Sequence, residues 1–257
     1  MKNQLYIILI SMLSATLVAN AQDSKPKPKA KLTPPSHKSN ITSESDWRKN
    51  FNNVGKFTEG MARVEKDTKH GFVDQTGSVI IPLIYDDAFW FSEGLAAVKK
   101  NDKWGFINKT GKLVIPFIYD FVNFSFSEGL AAVGKNGRWG FINKSGNIII
   151  PLMYDYARDF KEGLASVKKN NKCGFVDKSG KVVISIIYDY AYEFSEGLAI
   201  VAKGGKAGYI DRTGKVVIPL IYELIFSEDF IDGMAKVYCN GKEYYINKQG
   251  MCIKNCP

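Results

Sequence analysis

Apolar and polar residues alternate along this chain in short runs that end at glycine, asparagine or aspartate. In the segment FSEGLAAVKKNDKWGFINKTGKLVIPFIYD, from Phe91 to Asp120, two such runs are Leu95 to Lys100 and Lys103 to Asn108. They flank Asn101-Asp102, and a two-residue loop of this type favours positive φ and therefore a tight hairpin. The pattern predicts two antiparallel strands.

A second turn and a third strand follow. Asn108 stands first and Gly111 fourth in a turn where an Asx side chain accepts backbone N–H groups and glycine adopts the left-handed conformation. The next run, Lys112 to Ile115, predicts a third strand, and Pro116 is expected to stop its pairing. Each unit is thus a three-stranded antiparallel meander. A connector, I-Y-D-x-A-x-x-F, adds at most a short fourth strand.

The segment recurs six times. An acidic residue followed by glycine marks each copy, and successive copies are 34, 35, 34, 34 and 36 residues apart. The pairs are Glu59-Gly60, Glu93-Gly94, Glu128-Gly129, Glu162-Gly163, Glu196-Gly197 and Asp232-Gly233. A period of this size indicates tandem units that bury their apolar faces against each other. The predicted repeat domain covers residues 47–257, with units at about 47–81, 82–115, 116–150, 151–184, 185–218 and 219–257.

The middle of the units resembles a known family. Trp104-Gly105 and Trp139-Gly140 occupy one position, which other units fill with His70-Gly71, Cys173-Gly174, Ala207-Gly208 and Glu243-Tyr244. Together with F-x-E-G-L-A-x-V, K-W-G-F-I-N-K-T-G-K and I-P-x-I-Y-D, this pattern resembles the WG-repeat (KWG-repeat) proteins of bacteria over about residues 51–253. The resemblance implies a β-rich repeat domain, often on exported proteins, without a common enzymatic activity.

The predicted fold class is all-β, with six tandem antiparallel β-meander repeats of about 34 residues. We expect a curved, open, solenoid-like array, because three certain strands per unit fall short of the usual four-stranded propeller blade. The alternative is a closed, six-bladed, propeller-like ring. The last unit is the least regular, which suits an end cap.

The N-terminus has a different composition. The apolar run Leu5 to Val18 and the small residues of Ala19-Asn20-Ala21 predict a signal peptide over residues 1–21, since the run is too short to span a bilayer. Residues 22–46 contain five lysines and four prolines and predict a disordered tether. The expected location is the periplasm or the medium, with no transmembrane segment after cleavage.

The charge is concentrated in loops. The net charge of +9 divides into +1 for the signal peptide, +2 for the tether and +6 for the repeats. Basic residues cluster at the first hairpin loops and are candidate ligand contacts: Lys100, Lys103, Arg138, Lys169 and Lys172. We expect the acidic Tyr-Asp connectors to emerge at the same edge, which favours a mixed-charge surface. An exported protein has little need to bind nucleic acid, so acidic glycans or lipid head groups are the expected anionic partners.

Two sets of aromatic residues are candidates for ligand contact. Trp104 and Trp139 lie one repeat apart and are the best candidates for an exposed platform, although Cys173 and Ala207 at the same position favour a packed site. The Tyr-Asp pairs of the connectors suggest sugar stacking. The more economical interpretation is a packed tyrosine.

The acidic-glycine pairs suggest either calcium binding or backbone capping. One carboxylate per repeat does not supply the converging oxygens that calcium needs, so capping is favoured. We find no nucleophile elbow, zinc helix or dinucleotide fingerprint, and we predict neither enzymatic activity nor a metal or cofactor.

Three of the four cysteines fall in the last unit. In an oxidising compartment, a disulfide between Cys252 and Cys256 or between Cys239 and Cys256 would stabilise the end cap. Cys173 is alone in a strand and is expected to be a buried thiol.

The predicted function is a non-enzymatic, exported β-repeat scaffold that presents an extended surface to a protein or a cell-envelope glycan. The alternative is a carbohydrate-binding module that uses exposed aromatic residues.

Overall fold

The computed structural model describes residues 47–224 and 227–256. The predicted signal peptide (1–21) and tether (22–46) lie outside these residues and stay predictions. The described part begins with a short 3-10 helix, Trp47–Asn50, and is otherwise built from strands and turns. It contains no helix with the length and apolar character needed to cross a bilayer.

The strands form six antiparallel sheets that follow each other along the chain. Sheets 1 to 5 have four strands each and sheet 6 has three, counting the residues that are described. In sheets 1 to 3 the strands are β1 (Asn53–Thr58), β2 (Met61–Lys66), β3 (Lys69–Val73), β4 (Val79–Tyr85); β5 (Asp87–Ala88), β6 (Leu95–Lys100), β7 (Lys103–Asn108), β8 (Leu113–Tyr119); β9 (Phe121–Val122), β10 (Leu130–Lys135), β11 (Arg138–Asn143) and β12 (Ile148–Tyr154). In sheets 4 to 6 they are β13 (Tyr156–Ala157), β14 (Leu164–Lys169), β15 (Lys172–Asp177), β16 (Val182–Tyr188); β17 (Tyr190–Ser195), β18 (Leu198–Lys203), β19 (Lys206–Asp211), β20 (Val216–Tyr222); β21 (Met234–Cys239), β22 (Lys242–Asn247) and β23 (Cys252–Lys254).

The turns form where the sequence predicts them. Asn101 and Asp102 both have positive φ, 52° and 61°, and close the hairpin between β6 and β7. In the next turn the side chain of Asn108 accepts hydrogen bonds from the backbone N–H groups of Thr110 and Lys112, both at 3.0 Å. Gly111 supplies the left-handed residue. The two predicted strands and both turn types are therefore confirmed.

The predicted end of the third strand is wrong. Strand β8 does not stop at Pro116 but continues to Tyr119. Phe106 pairs with Ile115 and Trp104 pairs with Tyr119, so the residues between Ile115 and Tyr119 bulge opposite a single residue of β7. Pro116 lies in this bulge, where the N–H that proline lacks is not needed for the ladder.

The connector supplies a strand to the following sheet. Asp87 and Ala88 pair with Lys99 and Val98 of β6, so each full sheet has four strands. The short fourth strand that the sequence left open is therefore present, and the strand number no longer argues against propeller blades. We call β1, β5, β9, β13 and β17 the first strands, and β4, β8, β12, β16 and β20 the fourth strands.

Apolar side chains hold each sheet to the next. One cluster joins sheets 1 and 2 around Phe72 and Phe91, and equivalent clusters follow through to sheets 5 and 6. The outer side of sheet 1 is covered separately by Trp47 and Phe51. Among the residues described, no cluster joins sheet 6 back to sheet 1.

The all-β fold with six repeats is thus confirmed. The separate apolar cover on sheet 1 is what an open array requires, because an end sheet has no following sheet to pack against. Each four-stranded sheet, however, has the number of strands that is usual for a propeller blade.

Candidate functional site

The predicted basic residues of the hairpin loops lie beside acidic connectors. Lys103 and Arg138 pair with Asp120 and Asp155, and Lys172 donates to Asp189 at 2.5 Å. The predicted mixed-charge surface is therefore present.

Two further basic candidates remain at this surface. Lys100 is exposed and Lys169 is half-buried, both at the ends of second strands.

The same connector carboxylates cap the hairpins of the following sheets. Asp86 accepts a hydrogen bond from the backbone N–H of Asn101 at 2.8 Å, and Glu223 accepts one from Gly241 at 3.0 Å. The tyrosines that precede these acids are buried. In each connector pair, the tyrosine ring thus packs in the core and the carboxylate caps the following hairpin.

The acidic-glycine ladder ties successive sheets together. Glu93 accepts a hydrogen bond from the backbone N–H of Gly129 at 3.0 Å, and Lys144 of the same following sheet approaches it to 2.9 Å. Burial alone would raise the pKa of Glu93, but these partners outweigh it and the pKa is lowered. Glu59, Glu128, Glu162 and Glu196 make the equivalent contact with a glycine one repeat on. The predicted capping role is confirmed.

Trp104 and Trp139 do not form an exposed platform. Trp104 is only 8% exposed and stacks on Phe89 with 5.0 Å between ring centroids. Trp139 is half-buried and contacts Tyr156 edge-on at 5.1 Å. Both residues belong to the packing between sheets.

A different aromatic pair is exposed. Trp90 and Phe124 stack on each other with 5.5 Å between centroids and are 46% and 38% exposed. They line a shallow pocket of about 170 Å³ together with Ser92, Ser127 and Asp159. We call this the inner pocket. Each of its lining residues follows the first strand of its sheet along the chain.

Phe124 has an unusual backbone conformation. Its φ is +78°, which costs a bulky L-residue on the order of 1–3 kcal/mol. Phe124 lies in the connector of sheet 3, where the repeat spacing is 35 rather than 34 residues. That extra residue is the signal in the sequence that could have located the pocket.

Acidic side chains converge beside the inner pocket. Burial raises the pKa of Asp159 to about 7, and the charge of Glu193 adds to the effect. Burial likewise raises the pKa of Asp229 to about 6, again with Glu193 contributing. Arg158 lies over the ring of Tyr192 at 4.7 Å and lowers both pKa values in part. Residues of sheets 4, 5 and 6 therefore meet on the first-strand side of the array.

Two buried polar side chains lie next to each other at this place. Oδ1 of Asp159 and Nδ2 of Asn123 are both buried, and neither has another hydrogen-bond partner of good geometry among the residues described. The Oδ1 of Asn123 accepts from the hydroxyl of Tyr156 at 3.1 Å. Hydrogen bonding from the neighbouring Asn123 amide lowers the pKa of Asp159 in part, so the two side chains are close enough to be each other's partners.

The fourth strands expose a second surface. In β8, Leu113, Val114 and Ile118 are exposed while Ile115 and Tyr119 are buried. The other fourth strands repeat this pattern with Val79, Ile80 and Ile84; Ile148, Ile149 and Met153; Val182, Val183 and Ile187; and Val216, Val217 and Ile221. We call these fifteen aliphatic side chains the outer apolar surface; they are 37–57% exposed.

Successive parts of the outer apolar surface are neighbours. Between sheets 4 and 5 a shallow groove is lined by Val183 and Ile187 of β16 and by Thr213 and Gly214 of the next sheet. The sequence-based prediction did not include this surface because it ended the third strand of the unit at Pro116. Runs such as VIIPLIY indicate this exposed surface in the sequence, because they contain more apolar residues than one buried face of a strand can hold.

Two of the four cysteines form a disulfide, and the other two are free thiols. Cys252 and Cys256 form a disulfide with 5.7 Å between Cα atoms, while Cys239 is a free thiol. Cys173 is buried, and burial raises the pKa of its thiol.

Solved structures with similar folds share little sequence with this chain. A structure titled as a eukaryotic initiation factor matches with a TM-score of 0.53 and 12% identity, covering 80% of this chain. This chain spans 65% of that protein's length. The Kluyveromyces lactis protein Hsv2p matches with a TM-score of 0.49 and 8% identity, over 77% of this chain and 75% of that one. The propeller-like fold of the first of these two structures fits the propeller-like alternative.

No curated protein matches the chain. The model of the WG containing repeat matches six segments: residues 49–69, 71–104, 104–139, 139–173, 174–206 and 208–242. These segments cover most of the chain and equal the sheets in number; each segment after the first begins in the third strand of one sheet and ends in the next sheet. The chain belongs to the family of proteins with the WG containing repeat.

Proposed function

We propose that this protein is a non-enzymatic interaction scaffold that binds protein partners through its outer apolar surface. The observation that carries the proposal is the repetition of three exposed aliphatic side chains on each of five fourth strands. Exposed apolar patches larger than a few hundred Å² mark interaction sites on proteins. A repeated β-fold suits this role because many weak contacts add up along the array.

Prolines limit the way in which a partner can bind the outer apolar surface. Pro82, Pro116, Pro151 and Pro219 occupy the middle of four fourth strands. Proline on an edge strand hinders the addition of another strand. The outer apolar surface therefore offers side chains, and partners are expected to fill the grooves between successive edges.

The test compares two triple variants of the full chain as bait for proteins of the same organism. The first carries Ile118→Ser, Met153→Ser and Ile187→Ser, which removes exposed aliphatic groups. Each is worth about 1 kcal/mol on burial, so capture should fall by about a hundredfold or more.

The control carries Lys100→Ser, Lys135→Ser and Lys169→Ser, which alters only the loops and should retain capture at high salt. Capture that survives the first variant and is lost in the control would contradict the proposal and assign binding to the basic loops.

A second candidate function is carbohydrate binding at the inner pocket. The aromatic pair Trp90 and Phe124 presents ring faces of the kind that stack on the apolar face of a sugar. The lining also contains the hydroxyl groups of Ser92 and Ser127 and the carboxyl group of Asp159, which can exchange hydrogen bonds with the hydroxyl groups of a sugar.

Intrinsic fluorescence tests this candidate. Titration with soluble peptidoglycan fragments should quench tryptophan emission, and Trp90→Ala should abolish the quenching. The control is Trp47→Phe, since Trp47 packs on the outer side of sheet 1. Equal quenching in wild type and Trp90→Ala would exclude the inner pocket as the binding site.

We also propose that the protein is bacterial and is exported to the periplasm or the medium. The support is the apolar run and small-residue cleavage motif of residues 1–21 and the resemblance in sequence described above. Envelope proteins or glycans are the partners that this location would supply.

A further inference from the structure

One fourth strand differs from the other four at its centre. Strand β16 has Ser185 where β4, β8, β12 and β20 have proline. Ser185 is exposed, and β16 forms the outer edge of sheet 4. This edge therefore lacks the residue that hinders strand addition in its neighbours.

The backbone N–H of Ser185 is available for pairing. The register of β15 with β16 matches that of the proline-containing sheets, so the ladder does not use this N–H. The carbonyl oxygen of Ile184 lies 2.6 Å from where a Cβ on Gly174 would stand, so it faces β15. Since the peptide bond is trans, the following N–H, that of Ser185, points away from the sheet.

The sequence of β16 is complementary to itself in the antiparallel sense. Ser185 is the central residue of Val182–Tyr188, so antiparallel pairing of two copies about Ser185 brings Val183 of one copy to Ile187 of the other, with β16 bulged between Ile184 and Tyr188. Both are exposed aliphatic residues, and such cross-strand pairs stabilise a sheet. Just beyond the strand ends, Lys181 of one copy would face Asp189 of the other, where it would join Lys172 at this carboxylate as a second cation.

We propose that β16 is a self-association site through which two copies of this chain pair their edge strands antiparallel about Ser185. The interface is isologous, because the same strand contributes from both copies. It rests on the proposed use of the fourth strands as a contact surface and adds main-chain hydrogen bonds from the Ser185 N–H, which the proline of the other four fourth strands lacks. A contact of one strand per copy is small, so the dimer should be weak and reversible.

Sedimentation equilibrium of the full chain at increasing concentration tests the inference. The wild type should pass from monomer to dimer, and Ser185→Pro should raise the dissociation constant by about tenfold or more, because it removes a donor from each copy. The variant should fold normally, since four other sheets accept proline at the same position. Equal circular dichroism spectra and melting curves would establish this.

Two further variants make the test specific. Lys181→Glu places like charges opposite each other across the dyad and should weaken the dimer, whereas Lys112→Glu at the equivalent position of the proline-containing β8 should leave it unchanged. A wild type that stays monomeric, or a dimer unaffected by Ser185→Pro, would overturn the inference.

The result can be told apart from failure of the proposed function. Partner capture by the Ser185→Pro variant is measured at concentrations where the wild type is monomeric. This measurement tests the remaining outer apolar surface alone. If Ser185→Pro loses a captured partner while the wild type never dimerises, β16 accepts a strand from another protein and self-association is refuted.

Discussion

The glycine that follows the tryptophan position is the residue on which we expect the fold to depend most sharply. In β7 this is Gly105, which faces the bulge of β8. A Cβ added there would lie 2.6 Å from the carbonyl oxygen of Ile115 and 3.0 Å from the carbonyl carbon of Pro116. Both are backbone atoms of a paired strand, so they cannot turn aside as the end of a flexible side chain would.

The cost of Gly105→Ala follows from these contacts. Forcing an extra carbon into a packed site typically costs about 1–3 kcal/mol. Alanine also restricts the unfolded chain, which returns roughly 0.4–1 kcal/mol. We therefore expect a net destabilisation of about 1 kcal/mol. In a domain of this size that corresponds to a fall in melting temperature of roughly 2–4 °C.

The assay is urea unfolding followed by tryptophan fluorescence and circular dichroism. The matched control is Gly55→Ala in β1, because its added Cβ would lie 3.4 Å from the nearest atom, the carbonyl oxygen of Arg63. Gly105→Ala should shift the midpoint clearly while Gly55→Ala should not. If the two variants are equally stable, the close approach of β8 does not explain the glycine.

The last sheet supports this explanation independently. Tyr244 occupies the glycine position there, and within the described residues β23, Cys252–Lys254, pairs with Tyr245 and Ile246 but not with Tyr244. The glycine is thus absent where the crossing strand is absent.

Three further predictions concern the ladder, the core and the cap. The pKa of Glu93 is lowered in the folded state, so its stabilising contribution is full above the unfolded pKa of about 4.5 and is lost as the pH falls through the folded pKa. The Glu93→Gln variant lacks this carboxylate, so its stability in urea unfolding should fall less than that of the wild type between pH 6 and 3. Trp104→Ala should cost about 3–5 kcal/mol because the ring is buried, and a change under 1 kcal/mol in the same assay would contradict its place in the core. Reduction of the Cys252–Cys256 disulfide should increase proteolysis near the C-terminus, as seen by mass spectrometry, without moving the main unfolding transition.

Local sequence patterns predicted the parts of the fold that depend on neighbouring residues. The strands β6 and β7, the Asn101-Asp102 hairpin and the turn that starts at Asn108 all follow from turn chemistry and alternation. The prediction failed where pairing depends on a residue far along the chain. Pro116 reads as the end of a strand until its partner is known to be Gly105, which makes room for a bulge.

The candidate sites were harder to predict for the same reason. Trp104 and Trp139 attract attention because of their residue type, but burial is decided by packing against the neighbouring sheet. Trp90 has no equivalent tryptophan in other units, and its exposure depends on the inserted residue near Phe124. The fourth strands looked like ordinary core strands, and only the position at the sheet edge exposes them.

The repeats suggest where function should be sought in a chain of this kind. Features that recur in nearly every unit, such as the Glu93 ladder and the Gly105 bulge, have structural partners that account for them. Two differences between units have no counterpart in the other units: Ser185 replaces a proline, and Phe124 adopts a strained backbone in an expanded connector. A scaffold needs identical units to assemble but unequal units to bind in one place. The two departures, at the outer edge of sheet 4 and at the inner pocket, are therefore the positions at which substitution should change binding while leaving the fold intact.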